Sequence, residues 1–407
     1  MKFKQLLPLL AIAAILVPAA EGGSKFKVLH VFGANGDGVL PYGPLLLGKK
    51  GGLYGVTIDG GSGKCSDYGC GTLFELTPGR AGWKEAILHN FDFPHGSGPL
   101  GSLAVDSAGD LYGVTVGGGP NGLGSVYELS PTSEGWAFST IYPFGSREGL
   151  VSDKAGNLYG FLTASTSGGG ALAELSPGSK GWAYTALYKF CSQQHCADGF
   201  GPAGPLSWDA KGNLYGTTYH GGGGNSYGVA FELSQATDLA TGSVTWTYHV
   251  LHRFGSYKND GQNPDGGLVV DASGNAYGVT VYGGVYGAGT VFELTPSSGG
   301  HWKQKVLYDF QDCANGCLPG GTLAFDKAGN LYGAASGGIA DCGYTCGVVF
   351  KLAPQTGGKW KYSVLHKFDG ADGGFPLGVT PDEKGNLFGV TTNFGAYNGG
   401  VAFEITP

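Results

Sequence analysis

Apolar positions along this chain fall into short runs separated by Gly, Asp, Asn and Ser, and the runs recur in sets of four. Residues 267–310 show one set clearly. Gly267-Leu-Val-Val-Asp271 is an apolar run without alternation, as expected of a strand covered on both faces. Ala276-Tyr-Gly-Val-Thr280 and Val291-Phe-Glu-Leu294 come next as second and third strands. Residues 302–310 alternate, with Trp302, Val306, Tyr308 and Phe310 on one face and Lys303, Lys305 and Asp309 on the other, the pattern of an outer edge strand. Four such strands are the content of one propeller blade.

The set repeats from end to end. The tyrosine of Gly274-Asn-Ala-Tyr-Gly-Val-Thr280 corresponds to Tyr54, Tyr112, Tyr159, Tyr215, Tyr277, Tyr332 and Phe388, spaced 47 to 62 residues apart. A period of that size signals a propeller or solenoid. Residues 26–32 resemble an outer strand that precedes the first inner strand, while the last unit ends after its third strand at Ile405. The expected fold is therefore all-β: a seven-bladed β-propeller with four antiparallel strands per blade. Its N-terminal outer strand joins the last blade, and segments near 376–382, 386–391 and 400–406 supply the other three strands. An open solenoid would need capping repeats, which the sequence does not display.

Several polar residues repeat with the strands and read as blade chemistry. Asp106, Asp153, Asp209, Asp271, Asp326 and Asp382 precede a turn Gly and fit a hairpin whose amides the Asp side chain binds. One Asp per turn is too few for a calcium loop. Glu75, Glu128, Glu174, Glu232, Glu293 and Glu404 form a ring of carboxylates that suits a supporting role better than catalysis, which needs groups in unlike environments. The Gly after each tyrosine, as at Gly278, is expected to admit a neighbouring blade. Six residues after the outer-strand Trp stands His or Tyr: His30, His89, Tyr142, Tyr188, His252, Tyr308 and His366.

Composition adds compartment. Gly is 80 of 407 residues, yet aromatic residues reach 13% at fixed repeat positions, so the Gly serves turns rather than disorder. Net charge is −7 without a basic run, which argues against nucleic acid as a partner. Lys2 and Lys4, an apolar run from Leu6 to Val17, and Pro18-Ala-Ala20 have the form of a signal peptide over residues 1–20, leaving one propeller domain over 26–407. The apolar run is short of the ~20 residues of a membrane span, and no second span or C-terminal anchor is expected. The eight cysteines lie as Cys65 with Cys70, Cys191 with Cys196, Cys313 with Cys317, and Cys342 with Cys346. Each close pair shares a loop, the arrangement of local disulfides in an oxidising compartment rather than of a zinc site. Cross-pairing between the last two loops is open. No cofactor or metal is expected, and the mature chain is expected to be a monomer.

All eight cysteines fall on the face that carries the second-to-third and outer-to-inner connections. Longer, variable loops on a rigid scaffold are where binding resides. Tyr68, His220, Tyr227, Tyr282, Tyr286, Tyr344, Asn393 and Tyr397 in these Gly-rich loops are the candidate ligand-binding residues, suited to apolar stacking with polar edges. The ionisable candidates on the same face are Asp59, Asp260, Asp265, Asp341, His95, His195 and His220, none of them within a local catalytic motif.

Gly-Asn-Leu-Phe-Gly-Val-Thr at 385–391, Gly-Thr-Val-Phe-Glu-Leu-Thr-Pro at 289–296 and Trp-x3-Val-Leu-Tyr-x-Phe at 302–310 resemble the tandem repeat of the GloVer (Gloeo/Verruco) family of exported bacterial proteins. The resemblance covers residues 26–407 and implies a repeat-built, secreted protein. It implies no activity. Two functions are therefore carried forward: a secreted binding module for a glycan, cell-envelope component or protein, and a propeller lyase or glycoside hydrolase with its site at the channel mouth.

Overall fold

The computed structural model describes residues 23–34, 36–65, 68–162, 170–238, 240, 243–311, 313–337 and 346–407. They form seven antiparallel sheets arranged as blades, each ordered inner, second, third and outer strand. Blade 5 comprises Gly261–Pro264 with Val269–Val270, then Ala276–Gly283, Thr290–Pro296 and Trp302–Asp309. Blade 3 comprises Leu150–Ser152, Leu158–Phe161, Ala171–Gly178 and Gly181–Lys189. Blade 7 takes Gly374–Pro376 with Thr380–Pro381, Leu387–Asn393 and Val401–Thr406 from the C-terminal end, and Lys25–Val31 from the N-terminal end. Lys25 pairs with Thr406, Val28 with Phe403 and Val31 with Val401, so the ring is closed by hydrogen bonds between the two ends of the chain.

The core is divided among the blade interfaces. Seven apolar clusters each join consecutive blades. The cluster of Leu29, Phe32, Phe388 and Val390 with Leu45, Leu53 and Phe74 joins blade 7 to blade 1.

Three expectations change in detail. First, in six blades the Gly at this position admits an aromatic ring of its own blade: a Cβ on Gly278 would lie 2.6 Å from Phe292 Cζ, and one on Gly333 2.5 Å from Phe350 Cζ, whereas Gly160 of blade 3 meets Leu150. Blade-to-blade backbone approach occurs instead at inner-strand glycines, where a Cβ on Gly266 would lie 2.1 Å from the Gly321 carbonyl oxygen. Second, every outer strand carries a bulge between the positions four and six residues after the Trp, whose place Ser24 takes in blade 7; Val306 pairs with Phe292 but Tyr308 with Val291. The extra residue reverses the facing of the strand beyond it. Trp302 thus packs towards blade 4, and Tyr308 and Phe310 towards blade 6. Third, the inner strand of blade 5 starts at Gly261, well before the apolar run at 267–271, and is interrupted after Pro264.

The repeated polar residues hold the blades together. Asp271 Oδ1 accepts from the Ser273 and Asn275 amides, and its Oδ2 accepts from Asn275 Nδ2. The Tyr277 hydroxyl donates towards Asp271 Oδ2 and Glu293 Oε1, each at 3.0 Å, tying the inner turn to the third strand. Tyr112 and Tyr215 make the equivalent pair of bonds.

One blade departs from this economy. Tyr127 stands where other blades have Phe74, Phe231, Phe292, Phe350 and Phe403; it is fully buried and its hydroxyl has no partner among the described residues. An unpaired buried hydroxyl carries a desolvation penalty of about 1–3 kcal/mol. Tyr127→Phe should therefore raise stability by about 1 kcal/mol, read as a higher denaturant midpoint at unchanged m-value. A lower midpoint would mean that the hydroxyl is satisfied.

Candidate functional site at the central channel

The inner strands line the propeller axis. In blades 1, 2, 4, 5 and 6 they share the pattern Pro-x-Gly-x-Leu, beginning at Pro41, Pro99, Pro202, Pro264 and Pro319. The Gly of that pattern lets consecutive inner strands meet backbone to backbone: a Cβ on Gly43 would lie 2.4 Å from the Gly101 carbonyl oxygen, and one on Gly204 2.1 Å from the Gly267 nitrogen.

Blade 3 breaks the pattern with Ser146-Arg147-Glu148-Gly149-Leu150. A carboxylate replaces the contact Gly, and it reaches the next blade with its side chain: the Gly204 N–H donates to Glu148 Oε2 at 2.6 Å. Buried Ser146 holds the strap in shape, its hydroxyl accepting from the Glu148 N–H at 3.1 Å. Arg147 is exposed, and no carboxylate among the described residues forms an ion pair with it.

Asp265 of blade 5 and Tyr42 of blade 1 stand at the x of their own Pro-x-Gly segments, near enough for the charge of Asp265 to act on both Glu148 and Tyr42. Both are exposed. Asp265 is fixed through its carbonyl, which accepts from the Gly321 N–H at 2.8 Å, and Gly320 leaves room beside Oδ2.

These four groups form one electrostatic set. Burial pushes the Glu148 carboxyl up to about 7, the charge of Asp265 adds to the rise, and the Gly204 N–H and Arg147 oppose it. Burial also raises Asp265. Tyr42 is raised by burial and then by the charges of Asp265 and Glu148, with Arg147 acting the other way. A carboxyl titrating near neutrality beside a second carboxyl, a cation and a phenol can exchange protons and bind polar ligands. Tyr219 extends the set outward, being raised by burial and by the nearby Tyr282 and Asp265.

The sequence candidates lie around the loop-bearing face. Tyr282 and Tyr286 share one loop of blade 5 and are 43% and 56% exposed; Tyr68 in blade 1 and Tyr397 in blade 7 are 74% and 59% exposed. His220 ends a strand of blade 4 and stacks on Phe200 at 5.1 Å. Tyr227 is half-buried, with its ring over Gly255. Asn393 Nδ2 donates to Thr392 Oγ1 at 3.0 Å. Tyr344, Asp341 and Cys342 lie outside the described residues. Tyr282 approaches the channel group through Tyr219, while Tyr68 and Tyr397 belong to other blades.

Of the ionisable candidates, Asp265 belongs to the channel. Asp260 is buried and accepts from His252 Nε2 at 3.0 Å. His95 pairs with Asp92 at 2.6 Å on the surface. His195 sits exposed inside the loop closed by Cys191–Cys196, and burial raises Asp59 at the end of a blade 1 strand. Tyr42, Arg147 and Glu148 were not among the candidates. The signal for them was the lost Pro-x-Gly pattern at 146–148, hidden when the inner strand is read as its apolar run alone.

Cys65–Cys70, Cys191–Cys196 and Cys313–Cys317 are disulfides within single loops on this face. Cys346 is also disulfide-bonded, and local pairing of Cys313 with Cys317 excludes cross-pairing between the two loops of blade 6. No helix among the described residues is long and apolar enough to cross a membrane.

Solved structures similar to this chain include several enzymes. An ulvan lyase, described as a new family of polysaccharide lyase, matches at a TM-score of 0.55 and 12% identity, covering 90% of this chain and 93% of its own. The same description applies to a structure bound to a glucuronate–sulfated rhamnose unit, at 0.55 and 11%, covering 93% and 94%. The periplasmic gluconolactonase of Pseudomonas aeruginosa matches at 0.52 and 13%, covering 87% and 99%. At such identity the likeness speaks to fold alone. No curated protein matches the sequence. The repeat itself matches the Gloeobacter/Verrucomicrobia repeat family over residues 15–152, 64–249, 145–299 and 240–407, and the chain belongs to that family.

Proposed function

We propose that this protein is an exported carbohydrate-binding propeller whose site is the mouth of the central channel on the loop-bearing face. The observation that carries the reading is the break in the repeat at blade 3, which brings Arg147 and Glu148 within electrostatic reach of Asp265 and Tyr42. A position that repeats supports the scaffold; one that departs from the repeat while leaving the scaffold intact is free for a ligand. Sugar hydroxyls suit the carboxyls and the phenol, and exposed Tyr282 and Tyr286 offer faces for apolar sugar surfaces. Disulfides on the same face support export to an oxidising compartment, as does the signal-like segment at residues 1–20.

The second reading, a lyase or glycoside hydrolase at the same place, is favoured by one observation: Glu148 and Asp265 are two non-repeated carboxyls, and the charge of Asp265 raises the proton affinity of Glu148. Hydrolysis needs such a pair, and elimination needs a base near an acidic proton. A glycan array followed by turnover assays on the mature chain distinguishes the two. Binding without product supports the module, product formation lost in Glu148→Gln supports the enzyme, and neither binding nor turnover across acidic, neutral and sulfated glycans overturns both.

A further inference from the structure

The outer rim of the ring carries a ladder of side chains between blades. The bulge in each outer strand turns the residue six after the Trp towards the next blade, where it meets the residue two after that blade's Trp. Five of the seven junctions are parallel ring stacks: His89–Phe138 at 4.0 Å, Tyr142–Tyr184 at 5.2 Å, Tyr188–Tyr248 at 3.8 Å, Tyr308–Tyr362 at 4.0 Å and His366–Phe26 at 3.7 Å. Two junctions depart. Between blades 4 and 5 the two positions hold His252 and Gln304, both in contact with Tyr257; between blades 7 and 1, His30 faces Glu85.

At the second of these, His30 Nε2 lies 2.9 Å from Asp37 Oδ2 and 3.7 Å from Glu85 Oε2. The three donor atoms lie within 4.8 Å of one another. The Asp37 side chain is only 7% exposed, and its Oδ1, like Glu85 Oε1, is buried without a hydrogen-bond partner. Two partly buried carboxyls crowd one imidazole: burial pushes the Glu85 carboxyl up to about 7, His30 pulls it down and Asp37 raises it further, so a proton and a cation compete for the same oxygens. No Lys or Arg pairs with either carboxyl among the described residues.

We propose that His30, Asp37 and Glu85 bind a first-row divalent cation such as Zn2+ or Mn2+. The imidazole favours these over Mg2+ or Ca2+, and the two carboxylates make the site electrically neutral around a divalent ion. The donor separations of 2.9 and 3.7 Å bracket the ~3.3 Å expected between ligands set ~2.0 Å from a tetrahedral centre. Because His30 lies on the N-terminal strand and Glu85 on the outer strand of blade 1, the ion fastens the closing strand to the neighbouring blade.

The 4/5 junction supplies the control. His252 Nε2 lies 3.0 Å from Asp260 Oδ2, but the neutral Gln304 stands at the position of Glu85. Glu85→Gln therefore copies a set the fold already accommodates, and Gln304→Glu creates a second acidic set. Metal-stripped full-length mature protein is dialysed against Zn2+ and Mn2+ separately, bound metal is counted, and melting is followed by circular dichroism with and without the ion. The expected result is one equivalent in the wild type with a raised Tm, at least tenfold weaker binding and no Tm shift in Glu85→Gln, and a second equivalent in Gln304→Glu. Equal binding by wild type and Glu85→Gln, or no binding by the wild type to either ion, overturns the proposal.

Discussion

A chain lacking residues 25–33 should not melt cooperatively. The deleted strand contributes Leu29 and Phe32 to the interface of blades 7 and 1, at 8% and 0% exposure, and Phe26 to the stack on His366. Burying Leu29 and Phe32 alone is worth ~3–6 kcal/mol, within reach of the whole ~5–15 kcal/mol net stability of a typical domain. The loss goes further, because Val401–Thr406 would become a bare edge and Phe403 and Ile405 would lose their cover. Thermal melting by circular dichroism and size-exclusion chromatography read the outcome: aggregation or a broad transition is expected. A permuted chain in which residues 24–33 come after Pro407 through a short Gly linker should fold, since Lys25 and Thr406 already pair. A truncation that melts with the wild type, or a permutant that fails while the truncation folds, would show that closure does not hold the ring together.

That closure was legible in the residues alone, because an outer-strand pattern stood ahead of the first inner strand. Local chemistry carried the rest of the blade: Asp turns, Tyr-Gly strands and Trp-led outer strands announce themselves by residue type and spacing. The bulge at Leu307 and its counterparts was not legible, since a bulge adds one residue without altering the apolar pattern, and the alternation of Trp302 with Tyr308 then assigns both to the wrong common face. The partner of Gly278 was misplaced for a related reason: the sequence marks close approach but not which group approaches. The channel was the largest omission. Inner strands extend through Pro-x-Gly segments that look like loop, so Asp265 appeared as a scattered acid and Arg147 and Glu148 did not appear at all. They become visible once the repeat is aligned on the Gly that packs against the next blade, because only blade 3 puts a charge there among the described inner strands.

Returning blade 3 to the pattern of its neighbours should remove function while sparing the fold. In the double variant Arg147→Ala, Glu148→Gly, the bond from the Gly204 N–H to Glu148 Oε2 is lost. The accompanying removal of a carboxyl held near neutrality by burial offsets that loss, so stability should change by only about 1 kcal/mol. Glycan affinity or turnover should fall at least ~10-fold, the equivalent of about 1.4 kcal/mol of lost interaction, and Asp265→Asn should fall with it. The pH dependence separates this from a structural effect. Glu148, at about 7, is raised chiefly by burial and further by Asp265, against the pull of Arg147. Its native form therefore holds a proton that the unfolded chain releases at the ordinary Glu value of about 4.3. Between those two values the native state binds more protons than the unfolded state, so this group's contribution falls as pH rises and levels off above the native value. Glu148→Gln keeps an acceptor for the Gly204 N–H and cannot ionise, so it should be more stable than the wild type at about pH 8 and equal to it near pH 4, measured by chemical denaturation. The same difference at both pH values would mean that the channel carboxyl is not raised, and a double variant with full binding would move the site away from the axis.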